Sequence, residues 1–207
     1  MPLTSDMLLA LALFAAVTSI TPGPNNLMLL SSGVNFGFRR TLPHMLGIGA
    51  GCVVMLAVVG LGTGELMSAH PALYTTLRVA GGLYLVWLAW AIAKSGPSDA
   101  GGTETRGRPM SFWSAAAFQW INPKAWVMTV GAAVTYSDPQ AVMASVVLIA
   151  VVFWAVNLPC ISVWVLFGTG LRRFLTEPRT LRRFNVAMAL ILVASLWPLV
   201  ADLAQLN

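Results

Sequence analysis

Two features of this chain have residue types and spacing that point to chemistry: Lys124, and the run Pro22-Gly23-Pro24-Asn25-Asn26. Lys124 sits near the middle of an apolar stretch covering 111–136, about 12 residues from either end. That is roughly 18 Å along a helix axis, farther than a lysine stem can reach to bring its charge to water. An ammonium held at the centre of a membrane span costs about 2.5–3.5 kcal/mol on insertion scales. The sequence places no Asp or Glu at matching depth, Glu65 falling at the outer end of its own apolar run. The charge must therefore meet carbonyls, amides, water or a bound anion. Two readings stand: an anionic group of a substrate, or carbonyls freed at the adjoining Asn122-Pro123.

The proline run has its own logic. Pro22 and Pro24 lack an N–H, their rings clash with the preceding turn, and Gly23 adds backbone freedom. Pro24 suits the first turn of a new half-helix. That half-helix would present free N–H groups, the positive end of its dipole and the amides of Asn25 and Asn26, an arrangement that attracts a carboxylate. The simpler alternative is a packing kink. Gln119 and Asn157 are expected to line the same cavity, with the stretch from Asn157 to Pro159 bending its helix. The candidate substrate-binding set is thus Pro22, Gly23, Pro24, Asn25, Asn26, Gln119, Asn122, Pro123, Lys124 and Asn157. Coupling or structural candidates are Arg78, His44, Cys52, Gly47 and Gly51, with Arg78 near enough to a span end to serve as an interfacial anchor.

These residues need elements to hold them, and composition says which. The 207 residues are 57% hydrophobic and only 9% charged, against about 25% charged in soluble domains. The apolar excess requires lipid. Six apolar runs follow, at about 5–36 (interrupted near 22–24), 43–66, 71–93, 111–136, 140–168 and 184–203, with a Gly/Ser/Pro-rich link over 94–110. We call them spans 1 to 6. Span 1 would measure roughly 48 Å as one straight helix, against a hydrocarbon core of about 30 Å, so it must bend or tilt. No Lys or Arg precedes the first run and Asp6 is acidic, so it reads as a retained span rather than a secretory signal.

Orientation follows from the basic residues. Arg39 and Arg40; Lys94, Arg106 and Arg108; and Arg172, Arg173, Arg179, Arg182 and Arg183 fall in alternate links, while the other links and both termini hold none. The three basic links are expected to be cytoplasmic, with both termini outside an inner membrane. Three spans followed by three then run in opposite senses. The expected fold is an all-α membrane protein of six transmembrane helices in a single domain, arranged as two inverted three-helix repeats (about 1–93 and 111–207), with spans 1 and 4 broken at Pro. The net charge of +5 lies in topology signals, with no basic face for nucleic acid.

Gly47 and Gly51 form a GxxxG, which lets helices approach closely within one protomer or between protomers of a homo-oligomer. Cys52 and Cys160 both lie in apolar runs, with no metal-ligand spacing and no CxxC. His44 and His70 fall at span ends, which gives metal or hydrolytic catalysis no support, and no cofactor is expected.

TPGPNN at 21–26, GFRR at 37–40, LPHMLGIGAG at 42–51, GGLYLVWLAW at 81–90, RPMSFW at 108–113 and FQWINPKAW at 118–126 together resemble the LysE/RhtB family of amino-acid exporters. The resemblance covers most of the chain and implies a non-enzymatic, LysE-type fold that exports amino acids or their derivatives, driven by the proton motive force. The PGPNN and PMSFW segments resemble members that export cysteine or related metabolites, the cysteine/O-acetylserine type. One departure is plain: many relatives carry an acidic residue directly after the GxxxG glycines, where this chain has Cys52. Proton coupling would then fall to Lys124 or His44, or be absent. Two other readings compete with export: a thiol–disulfide electron carrier using Cys52 and Cys160, and a non-transporting subunit of a larger complex.

Overall fold

The computed structural model describes residues 5–60, 79, 83, 86–90, 92–94, 108–138 and 140–194. Arg78, Glu65, His70, most of span 3, most of the 94–110 link and the end of span 6 lie outside the described residues. Every regular element among the described residues is helical. They are α1 (Ser5–Ile20), α2 (Pro24–Phe36), α3 (Phe38–Val58), α4 (Phe112–Phe118), a 3₁₀ turn (Gln119–Ile121), α5 (Pro123–Tyr136), α6 (Val142–Leu171) and α7 (Pro178–Ala194), with further helical residues at 86–90 and 92–94.

The element ends follow from local chemistry. α1 stops at Ile20 ahead of Pro22, and α2 restarts with Pro24 in its first turn, bent 58° from α1. Proline fits there because its missing N–H has no intrahelical partner at that position anyway. Gly37, at φ +78°, closes α2 with its N–H on the Gly33 carbonyl and lets α3 begin one residue later. Ser111 caps α4 by accepting from the Ser114 N–H, and Asn122 caps α5 in the same way, from the Lys124 N–H. α6 continues through Pro159 as one helix of 30 residues.

Two boundaries depart from the hydropathy reading. α3 begins at Phe38 rather than 43, and α7 at Pro178 rather than 184. Arg39, Arg40, Arg179, Arg182 and Arg183 are therefore helical residues and not link residues. Hydropathy marks where a chain becomes lipid-compatible, whereas arginine is a good helix former and Pro178 a natural first-turn residue. His44 moves with this boundary: it lies inside α3, buried, rather than at a helix end.

Polar side chains are buried among an apolar core, and the exterior is apolar too. Ser19, Asn26, Ser31, Ser32, Asn35, Gln119, Asn122, Asn157 and Asn185 are buried, while Val134 is 79% and Val127 70% exposed on α5, and Leu9 and Leu13 are exposed on α1. Water would penalise such an exterior heavily; lipid does not. By length and composition α3 and α6 can each cross a membrane, and the bent pair α1–α2 makes a third candidate span. Span 4 is divided at the 3₁₀ turn into helices of 7 and 14 residues, each short of the about 20 a crossing needs.

α2 is buried almost all round, from Asn26 to Asn35. Its backbone meets that of α6 because Gly33 faces the Val165 carbonyl and Gly168 faces the Leu30 carbonyl, where any Cβ would collide. Gly47 and Gly51 do the same for α3 against α4, where Cβ atoms would run into the Phe112 and Ala116 carbonyls. The GxxxG face is thus filled within the protomer.

Candidate substrate site at two helix breaks

The two breaks meet. At the end of α1 the released carbonyls find side-chain donors both from the start of α2 and from distant parts of the chain. Asn26 Nδ2 donates to the Ser19 and Thr21 carbonyls at 2.7 and 2.8 Å, and Trp164 Nε1 donates to the Ile20 carbonyl at 3.0 Å. Lys124 Nζ donates to the Thr21 carbonyl at 2.7 Å, the Thr21 hydroxyl at 3.0 Å and the Pro22 carbonyl at 3.3 Å. The ammonium therefore sits at the negative end of the α1 dipole and uses all three of its donors. Of the two readings left open by the sequence, backbone carbonyls hold it here. They belong to the span 1 break, 102 and 103 residues away, and not to Asn122-Pro123. Gly23 makes room for this, since a Cβ there would lie 2.8 Å from Lys124 Cδ.

The start of α2 is different. No side chain caps it, so the first N–H groups of the helix, at Asn25 and Asn26, lack intrahelical acceptors. The Asn25 side chain turns instead to Gln119 in an amide–amide pair, Asn25 Nδ2 donating to Gln119 Oε1 at 2.8 Å and Gln119 Nε2 returning to Asn25 Oδ1 at 3.3 Å. Gln119 Nε2 also donates to the Ala115 carbonyl, and the Cys52 thiol lies 3.7 Å from Gln119 Oε1 as its donor. Asn157 Nδ2 donates to Ser19 Oγ at 2.9 Å, and Asn157 Oδ1 is buried with no partner among the described residues.

One small cavity joins these groups. Gly23, Asn25, Asn26, Gln119, Asn122, Lys124 and Asn157, all expected from the sequence, line it together with Cys52 and with Thr18, Ser19 and Met128, which the sequence reading missed. Its free volume of about 20 Å³ admits about one water. Pro22, Pro24 and Pro123 shape the backbone around it without lining it. Thr21 contributes a carbonyl and a hydroxyl to Lys124, a role visible only once the ammonium is placed. The cavity is rich in donors and acceptors and carries one cation with no carboxylate opposite. Chemically, it can exchange hydrogen bonds with a small zwitterion.

The other candidates lie elsewhere. His44 lines a second, larger cavity at the far end of α2. Cys52 and Cys160 are free thiols with different neighbours, Cys160 lying 3.9 Å from the Ala16 carbonyl, so the electron-carrier reading gains nothing. No group of His, Cys, Asp and Glu among the described residues could hold a metal ion.

Comparison with known proteins gives the site a context. The family model described as LysE type translocator matches residues 16–195. Proteins named cysteine/O-acetylserine efflux protein are 35% identical in Escherichia coli O1:K1 and 34% in Escherichia coli K12 and in Shigella sonnei, each over 193 residues that cover 92% of this chain and 96% of the relative. No solved structure matches the chain. The chain belongs to the LysE type translocators and is a membrane transporter rather than an enzyme.

Proposed function

We propose that the protein exports a small polar amino acid or amino-acid derivative, of the cysteine or O-acetylserine kind for which its relatives are named, and that the cavity at the two breaks binds it. The observation that carries this reading is the Lys124 ammonium parked on the carbonyls of Thr21 and Pro22, beside the uncapped start of α2. An incoming carboxylate competes for that ammonium and takes up the free N–H groups of Asn25 and Asn26. The carbonyls released by Lys124 then accept from the substrate's own ammonium group. The exchange conserves hydrogen bonds and pairs each charged group with a partner, the net charge staying at +1, and paired, hydrogen-bonded charges are what a low-dielectric site demands.

A cavity with room for about one water cannot hold such a molecule, so binding requires the two breaks to part. We read the structure as an occluded form in an alternating-access cycle. In this reading six spans form two inverted repeats whose first members, α1–α2 and α4–α5, are both broken at mid-membrane. The basic helix ends and links face the cytoplasm of a bacterial cell, both termini face outward from the inner membrane, and the proton motive force drives export. Cells overproducing the protein should release more cysteine or O-acetylserine than control cells, and Lys124→Met should abolish the increase. Undiminished export from the Lys124→Met variant would defeat the reading.

A further inference from the structure

The cavity around His44 is a polar feature that the break site leaves unexplained. Its free volume of about 340 Å³ compares with about 20 Å³ at Lys124 and falls within the about 300–1,000 Å³ of small-molecule sites. Ser31 and Asn35 of α2, His44 of α3 and Ser114 of α4 line it, with Trp87 and Arg108. The serines and Asn35 have partners within the protein: Asn35 and Asn185 exchange side-chain hydrogen bonds at 3.0 and 3.2 Å, and Ser114 pairs with Ser111. His44 does not. It is 2% exposed, and neither ring nitrogen has a hydrogen-bond partner among the described residues. A neutral imidazole carries one donor and one acceptor. Leaving both unmet is unfavourable in a buried place, and a ligand offering one acceptor and one donor relieves it.

Placement adds the second half of the argument. Asn26 at the break site and Asn35 at this cavity lie nine positions apart on one helix, roughly 13 Å along its axis. Of the α2 residues that line the cavity, Ser31, Ser32 and Asn35 are polar and Met28 and Phe36 are not, and the cavity lies toward the end of α2 that leads into Arg39 and Arg40, with Arg108 in its wall. Resting on the orientation and function proposed above, we infer that the His44 cavity is a cytoplasmic loading site for the exported amino acid. One ring nitrogen donates its N–H to the carboxylate once the side chains that cover the imidazole give way, and the other is left for a water or a side-chain donor. The exposed Arg108 at the mouth draws the carboxylate in, and α2 leads on to Lys124.

Everted membrane vesicles expose the cytoplasmic face and read this directly as concentration-dependent uptake of L-cysteine and O-acetyl-L-serine. His44→Leu, which removes both ring nitrogens, should raise KM about tenfold or more with the maximal rate little changed, the signature of weakened capture. His44→Gln, which keeps a donor and an acceptor, should retain a KM close to wild type. Ser114→Leu, which fills part of the cavity and leaves His44 in place, should raise KM in parallel and keeps the test open should His44→Leu fail to accumulate. Wild-type KM in both His44→Leu and Ser114→Leu overturns the loading site. If Lys124→Met is inactive in the same vesicles, that result leaves the break site standing; wild-type vesicles that accumulate neither amino acid overturn both.

Discussion

The two breaks are built from the same residue types and are closed in opposite ways. The break before Pro123 seals itself: Asn122 Oδ1 accepts from the Lys124 N–H two residues on, the Asn122 N–H reaches the Gln119 carbonyl, and the Trp126 ring N–H satisfies the Trp120 carbonyl. The break before Pro24 closes in part locally, through Asn26 on the Ser19 and Thr21 carbonyls, and in part with help from elsewhere. Two of its carbonyl donors, Lys124 and Trp164, arrive from α5 and α6, and the new helix start has no side-chain cap. A locally closed break is a stiff corner. One whose partners come from other helices loses its closure whenever those helices shift, so it is the one suited to exchange partners with a substrate.

That contrast can be broken from several directions. The largest effect is expected from Gly168→Val, whose side chain would strike the Leu30 carbonyl and push α2 away from α6. Overpacking of this kind costs about 1–3 kcal/mol or more, so the variant should unfold at markedly lower temperature in detergent and lose export. An unchanged melting curve would mean that the α2–α6 contact is looser than described. Gln119→Leu comes next. It strands the Asn25 amide and removes the link between the breaks, at a cost of about 1–3 kcal/mol. Its unfolding midpoint should fall clearly, with export reduced alongside.

Asn122→Ala removes only the local cap and should cost about 1 kcal/mol, within the range for such caps. Asn122→Asp, which keeps an acceptor for the Lys124 N–H, should recover that loss while bringing a negative charge beside the substrate site. The pair therefore separates cap from charge: stability restored with export still impaired supports a site tuned for an anion. Recovery of both would weaken it. The smallest effect is expected from Cys52→Ala combined with Cys160→Ala, which should leave export close to wild type, because neither thiol holds a close hydrogen bond. Loss of export in that double variant would reopen the role of Cys52 beside Gln119.

Much of the candidate site can be read from the chain because proline and lysine report their own constraints. Pro22 and Pro24 around Gly23 disfavour a continuous helix far more than the single Pro159 that α6 runs through, and Lys124 is costly in lipid, so both point to a break or a cavity whatever the tertiary arrangement. Direction is a different matter. Which carbonyls hold the ammonium depends on how α1 meets α5, and nothing in the local sequence encodes that meeting. Ser19 and Thr21 look like ordinary small residues of an apolar run until the neighbouring helix is placed. Asn122 followed by Pro123 carries a recognisable helix-start signature, yet its cap role competes in sequence with its reading as a cavity amide. Helix starts at Phe38 and Pro178 escape hydropathy because arginines continue a helix into water, and His44 is misplaced for the same reason.

The most direct test of the account measures binding to the purified protein of L-cysteine and of cysteamine, which lacks the carboxylate, in wild type and in Lys124→Met, under reducing conditions. Wild type should prefer cysteine by about tenfold or more, and Lys124→Met should bind both equally weakly. A variant that keeps the full preference for cysteine would contradict the claim that the ammonium parked at the span 1 break is what receives the substrate's carboxylate.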